Sequence, residues 1–146
     1  MGAGVIYKSD LVFASHSPAG EEDPAYLGYV FVETKRHVKG LGELRDDEAV
    51  AIGLLVNAVA AGLRSVVNAE HVYSYVYGDG VPHLHVHLQA RYAGTPLDYW
   101  PHRSGDAAIT VNLSGWPDAP RGGPAAVRDL SERLRASVDR RYRGTD

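Results

Sequence analysis

The chain has 146 residues, no cysteine, seven histidines and a formal net charge of −3 at pH 7. A single domain of this length buries its own core without staples. The absent cysteines exclude a disulfide framework and thiolate-bound zinc or iron–sulfur centres, and the mild acidity argues against a general nucleic-acid binder, whose surface field is basic.

Met1 to Asp10 carries no basic stretch followed by an apolar run, so no signal peptide is expected. Val5–Tyr7 and Asp10–Ala14 read as two short strands, and Ser15–Pro24 supplies turn residues. Tyr26–Glu33 is a second β-rich stretch, ending in Thr34-Lys35-Arg36-His37. Residues 47–67 form the clearest helix, with Ile52, Leu55, Val56, Val59, Leu63, Val66 and Val67 at helical spacing. Asp46 or Asp47 is the expected cap. A helix of this length extends about 30 Å and is expected to pack on a sheet. No run approaches the roughly 18–20 apolar residues of a membrane span. Cytoplasmic localisation without a membrane partner is therefore expected.

His71–Tyr77 and His83–Tyr92 read as strands of an antiparallel hairpin turned at Gly78-Asp79-Gly80. Residues 94–123 are rich in Pro and Gly, with only Ile109–Leu113 strand-like among them. A segment this long without its own regular structure is often functional. Pro124 opens a final helix over 124–142, with Val127, Leu130, Leu134 and Val138 as its apolar stripe and an arginine-rich opposite face. Residues 1–146 are expected to form one domain.

The informative segment is His83-Leu84-His85-Val86-His87-Leu88-Gln89. On a strand the three histidines share one face and the apolar residues face the core. Successive imidazoles lie about 6.8 Å apart, so they form a wall rather than a point. Three readings compete. The first is a polar strand face. The second is a metal site completed by His37 or Asp79. The third is covalent catalysis by a neutral imidazole, with its neighbours supporting a phosphoryl group. Neither a Ser nucleophile elbow nor a Walker-type phosphate loop is evident.

The alternating histidines, together with Leu27-Gly28-Tyr29-Val30-Phe31-Val32-Glu33-Thr34-Lys35-Arg36-His37-Val38, resemble the histidine triad superfamily of nucleotide hydrolases and transferases. The resemblance covers residues 10 to 92. It implies an α+β fold, with an antiparallel β-sheet of about five strands, one long helix packed on it and a C-terminal helix, and a homodimer that attacks the α-phosphate of a nucleotide conjugate, with no cofactor and no metal. It assigns His85 as the nucleophile and His83 as the group holding its tautomer, partly through the His83 carbonyl. His87 and His37 support phosphate and ring orientation. Phe13 and Leu27 fall where the family lines its base pocket. Asp79 stands where the family often has Gln, and Ser15-His16 where it commonly has an Asp for the ribose. Arg91 reads as a phosphate contact or an exposed strand-end residue. Trp100, His102 and Trp116 read as a site cap or as loop packing. Two alternatives accompany this reading. One is a nucleotide-binding regulatory protein with little catalysis, motivated by Asp79 and Ser15. The other is a metal-dependent hydrolase using the histidine row.

Overall fold

The computed structural model describes residues 4–101 and 111–142. Five strands form one antiparallel sheet in the order β1-β2-β4-β6-β5. They are β1 (Val5–Lys8), β2 (Val12–His16), β4 (Tyr29–Thr34), β5 (His71–Tyr75) and β6 (His85–Arg91). The short strands β3 (Ala25–Tyr26) and β7 (Arg121–Gly122) pair separately. Helix α1 (Asp46–Val66) and helix α2 (Pro124–Arg141) complete the fold.

Both helices cover one face of the sheet. Leu55, Val59 and Leu63 of α1 and Leu130, Leu134 and Val138 of α2 join Val12, Val30, Val32, Val86 and Leu88 in one buried cluster. Strand alternation accounts for this: Val12 and Ala14 of β2, Val30 and Val32 of β4, and Val86, Leu88 and Ala90 of β6 all fall on the side turned to the helices. The helices themselves approach closely at Gly62, where a Cβ would meet Ser137 Oγ at 3.2 Å. By length and composition α1 could cross a membrane, with a mean hydropathy of 1.8 over its most apolar window. This corrects the expectation that no run approaches that apolarity. In the fold its stripe Ile52, Leu55, Val59 and Leu63 packs on the sheet.

Several boundaries differ from expectation, each for a local reason. The stretch 26–33 is split at Gly28, which adopts φ +90°. A Cβ there would also lie 3.0 Å from the Ala90 Cβ, so only glycine suits the turn between β3 and β4. Arg45, not Asp46 or Asp47, is the N-cap of α1. The reason lies in Glu48, buried in the first turn: its carboxylate accepts the Arg45 N–H at 2.9 Å and pairs with Arg36 at 2.7 Å. That pairing holds the Glu48 carboxyl below its ordinary value. Strand β5 ends at Tyr75 and β6 begins at His85, so the hairpin connection is residues 76–84 rather than a tight Gly-Asp-Gly turn. Within it, the Leu84 N–H donates to the Val38 carbonyl at 2.8 Å, which draws the segment after β4 toward His83. Of the strand-like run 109–113, residues 109 and 110 lie outside the described residues; Leu113 opens a 3-10 turn, Leu113–Gly115, and is fully buried.

Candidate active site

Cross-strand register builds the site. Antiparallel pairing sets Glu33 opposite His85, Phe31 opposite His87 and Tyr29 opposite Gln89. It also sets Tyr75 opposite His87, and Ser15 opposite Phe31. Directly opposed residues share a face, so all of these lie on the side of the sheet away from the helices. A cavity of about 390 Å³ opens there, walled by His85, His87, Glu33 and Phe31, and by Tyr77 and Val81 of the 76–84 connection. Tyr77 and Val81 are 56% and 59% exposed, so they stand at its mouth.

Each histidine of the row has distinct partners. His83, just before β6, lies with its Nδ1 3.0 Å from His37 Nδ1 and its Nε2 3.3 Å from Glu33 Oε2. The Nε2 of His85 lies 3.5 Å from the same carboxylate oxygen. Among the described residues no hydrogen bond joins His85 to the His83 carbonyl. His87 stacks on Tyr75, with ring centroids 4.7 Å apart and planes 12° from parallel. Its Nδ1 lies 2.8 Å from the Tyr29 hydroxyl. Burial, reinforced by the neighbouring His85, keeps the His87 imidazole below its ordinary pKa. With the Tyr29 hydroxyl as donor, neutral His87 carries its proton on Nε2. Burial pushes the Tyr75 hydroxyl well up. Among the described residues no group of three or more metal-capable side chains is arranged to hold an ion.

The far half of this face is covered. Gln89 is 2% exposed; it accepts from the Tyr75 hydroxyl at 3.2 Å and donates to Ser114 Oγ at 2.8 Å. Leu113, Ala119 and Trp116 pack with Tyr26, Tyr73 and Tyr92 in a second cluster. Arg121 holds this segment by donating to the carbonyls of Ser114, Trp116 and Pro117. Part of the Pro/Gly-rich segment is therefore a cover over the far end of β6, joined to the histidine row through Ser114, Gln89 and Tyr75.

The structure brings His83, His85, His87 and His37 together. It places Phe13 and Ser15 on the same face, two strands away from β6, with Lys35 Nζ 5.9 Å from the Phe13 ring. Asp79 is exposed between Gly78 and Gly80, which line the cavity. Three other candidates are placed elsewhere. His16 is buried on the helix side, with its Nδ1 2.7 Å from the Ser17 carbonyl and its Nε2 accepting the Gly28 N–H at 2.9 Å. Its position in the alternation puts it opposite Val30, among core residues. Leu27 packs against the core and stands near Gly122, and its backbone N–H donates to the Pro120 carbonyl. Arg91 sits at the covered end of β6. It donates to the Tyr73 hydroxyl at 2.5 Å, lies 3.6 Å from Glu70 and rests 3.5 Å over the Trp100 ring. Trp100 and Trp116 pack the segment onto the body; His102 lies outside the described residues.

Glu33, Tyr29, Phe31, Tyr75 and Tyr77 are the site residues that motif reading passes over. The signal for three of them is present: residues 29, 31 and 33 alternate with valines, as residues 83, 85 and 87 alternate with Leu and Val. The pairing of the two strands is what joins these rows.

The role of His16 yields a pH prediction. Burial lowers its pKa below the ordinary 6.5, partly offset by the Ser17 carbonyl. Its Nε2 must stay unprotonated to accept the Gly28 N–H. Above pH 6.5 neither folded nor unfolded chain protonates it, and the full stability is present. Below 6.5 the unfolded chain takes up a proton that the folded chain refuses, so stability falls with a slope of up to about 1.4 kcal/mol per pH unit. Urea denaturation between pH 7.5 and 5 is expected to show this decline, with a shallower slope in His16→Asn and a remainder from His87. An unchanged slope in the variant would assign the effect elsewhere.

Residues 2–94 match the HIT domain family. A search of curated protein sequences finds no match. Among solved structures, a histidine triad (HIT) protein from Sinorhizobium meliloti is 23% identical with a TM-score of 0.65, over 91% of this chain and 87% of that one. The diadenosine triphosphate hydrolase of Plasmodium falciparum is 12% identical with a TM-score of 0.64, over 97% and 80%. The Caenorhabditis elegans NitFhit protein is 20% identical with a TM-score of 0.61 over 92% of this chain, which spans only 27% of that longer protein. At these identities the structural likeness establishes a shared fold.

Proposed function

The chain belongs to the HIT family, and on that premise we propose that it is a nucleotidyl hydrolase or transferase whose nucleophile is His85. The observation that carries this reading is the central place of His85 in the row: its ring lines the cavity, flanked by His83 and His87. The Nε2 lone pair of His85 attacks the α-phosphorus of a nucleotide conjugate. The bond from phosphorus to the leaving group breaks, and a nucleotidyl–histidine forms. Water then releases a nucleoside monophosphate, or another acceptor takes the nucleotidyl group. His87, neutral and donating from Nε2, supplies a hydrogen bond to a phosphoryl oxygen without adding charge to the resting site. Phe31, Tyr77 and Val81 give the cavity an apolar side suited to a base or an organic leaving group.

The test is direct. The protein is incubated with adenosine phosphoramidate, dinucleoside polyphosphates and adenylylated amines, then quenched in alkaline denaturant, because phosphorus–nitrogen bonds are acid-labile. A nucleotidyl adduct on the peptide carrying His85, together with turnover of at least one conjugate, is expected. One observation favours a second reading, nucleotide binding with little turnover: in the resting site the His85 Nε2 faces the Glu33 carboxylate. Nucleotide binding without adduct or turnover across the panel would select that reading.

Tyr29→Phe removes the hydroxyl that orients His87 while leaving the ring in place. Expected is a fall of about tenfold in kcat with KM little changed, since orientation of a donor matters more in the transition state than in binding. A large rise in KM at constant kcat would count against this role.

A further inference from the structure

Neither the triad pattern nor the proposed chemistry uses Glu33, yet it occupies the centre of the site. Its Oε2 lies 3.3 Å from His83 Nε2 and 3.5 Å from His85 Nε2, and its side chain walls the cavity. A phosphorus atom attacked by His85 has to approach that same nitrogen to about 3–3.5 Å. Incoming substrate therefore meets a carboxylate at contact distance. Two neighbouring cations are directed elsewhere: Lys35 Nζ lies 5.9 Å from the Phe13 ring centroid, and Arg36 pairs with Glu48. Among the described residues, the ion-pair contacts of Glu33 are to histidines alone. A second carboxylate, Asp79, is exposed on the connection whose glycines line the same cavity. This end of the site is acidic, although the group it is to receive is anionic.

We propose that Glu33 determines specificity by the charge of the leaving group, disfavouring one that brings further negative charge and favouring one that presents positive charge or N–H donors. The inference rests on the nucleotidyl-transfer reading above. Like charges brought together in a partly desolvated cleft repel more strongly than in water, whereas a cationic group gains from the same field. In the step itself a bond forms between His85 Nε2 and phosphorus as the phosphorus–nitrogen bond breaks. The electron pair of the broken bond departs with the nitrogen, which takes a proton from solvent and leaves as an amine. Glu33 faces that departing group and forms no bond to phosphorus.

The test compares two adenosine phosphoramidates that share the same reacting bond. One is made from ethylenediamine, whose free end is cationic; the other from β-alanine, whose free end is anionic. The native protein is expected to prefer the cationic conjugate by about tenfold or more in kcat/KM, with the preference shrinking at high salt. Glu33→Gln keeps the size and hydrogen bonding of the side chain and is expected to bring the ratio close to one. Glu33→Thr, a strand-favouring residue, serves as the second variant should the first fail to fold. An unchanged ratio in the variant, or no preference in the native protein, overturns the proposal. If the native protein turns over neither conjugate, charge selection is read from the dissociation constants of the two conjugates, and equal values overturn it; the catalytic reading stands or falls separately, on turnover across the wider panel.

Discussion

Replacing His85 by alanine is expected to reduce turnover of any accepted conjugate by at least about 10³-fold and to abolish the nucleotidyl adduct, while leaving the fold intact. The size follows from the loss of a covalent step, for which no neighbour can substitute. His83 is engaged with His37 through Nδ1 and with Glu33 through Nε2. His87 has its Nδ1 on Tyr29 and its ring against Tyr75; with the Tyr29 hydroxyl as donor, its other nitrogen carries the proton and is a donor rather than a nucleophile. The His85 side chain is 27% exposed and lies on the sheet face away from the helices, so its loss should change stability by less than about 0.5 kcal/mol. Measuring melting temperature alongside kcat separates chemistry from folding. His71→Ala, an exposed position at the other end of the sheet, is expected to leave both unchanged. Adduct formation persisting in His85→Ala would move the nucleophile to another residue.

Leu88→Ala should be the mirror image, a large loss of stability with the site geometry preserved. Leu88 is 1% exposed and points to the helices from the strand that carries the triad, opposite Val30. Truncating such a leucine removes its transfer free energy and leaves a cavity that the sheet closes only partly, at a cost of about 3–5 kcal/mol. For a domain of this size that is a large share of a total of about 5–15 kcal/mol and lowers the melting temperature by roughly 6–20 °C. Because His87 and Gln89 emerge on the other face, kcat measured well below the melting temperature should fall far less than in His85→Ala. Calorimetry and kinetics on the same preparation check both halves. A melting shift of 1–2 °C would mean that the core repacks around the gap.

The contrast between these neighbours shows what a single sequence makes legible. Alternation along residues 83–88 assigns each side chain to a face whatever the strand pairs with, because the backbone itself repeats every two residues. The stripe of α1 is legible for the same reason at its own period, as is the start of α2 at Pro124. The His83-His85-His87 pattern together with Lys35-Arg36-His37 resembles the HIT family in residue type and spacing, both of which are local. His16 shows where that kind of reading stops. A histidine after a strand suggests a polar pocket; only its place opposite Val30 reveals that it is a buried acceptor for Gly28. Arg91 reads from the sequence as a phosphate contact or an exposed strand-end residue, and only the fold sets Tyr73, Trp100 and Glu70 around it.

What the sequence determined by itself was therefore local: which residues are strand and helix, which face each takes, and that three imidazoles form a row. What the tertiary structure decided was everything that depends on register between distant segments. Glu33 stands beside His83 and His85 because β4 and β6 pair antiparallel with residue 33 opposite residue 85, some fifty positions away. A slip of one residue would have sent Glu33 into the core and Val32 to the histidines. Ser114 likewise meets Gln89 only because the segment after Tyr92 folds back across β6. Contacts of this kind are fixed by the collective burial of one sheet face, which no local pattern encodes.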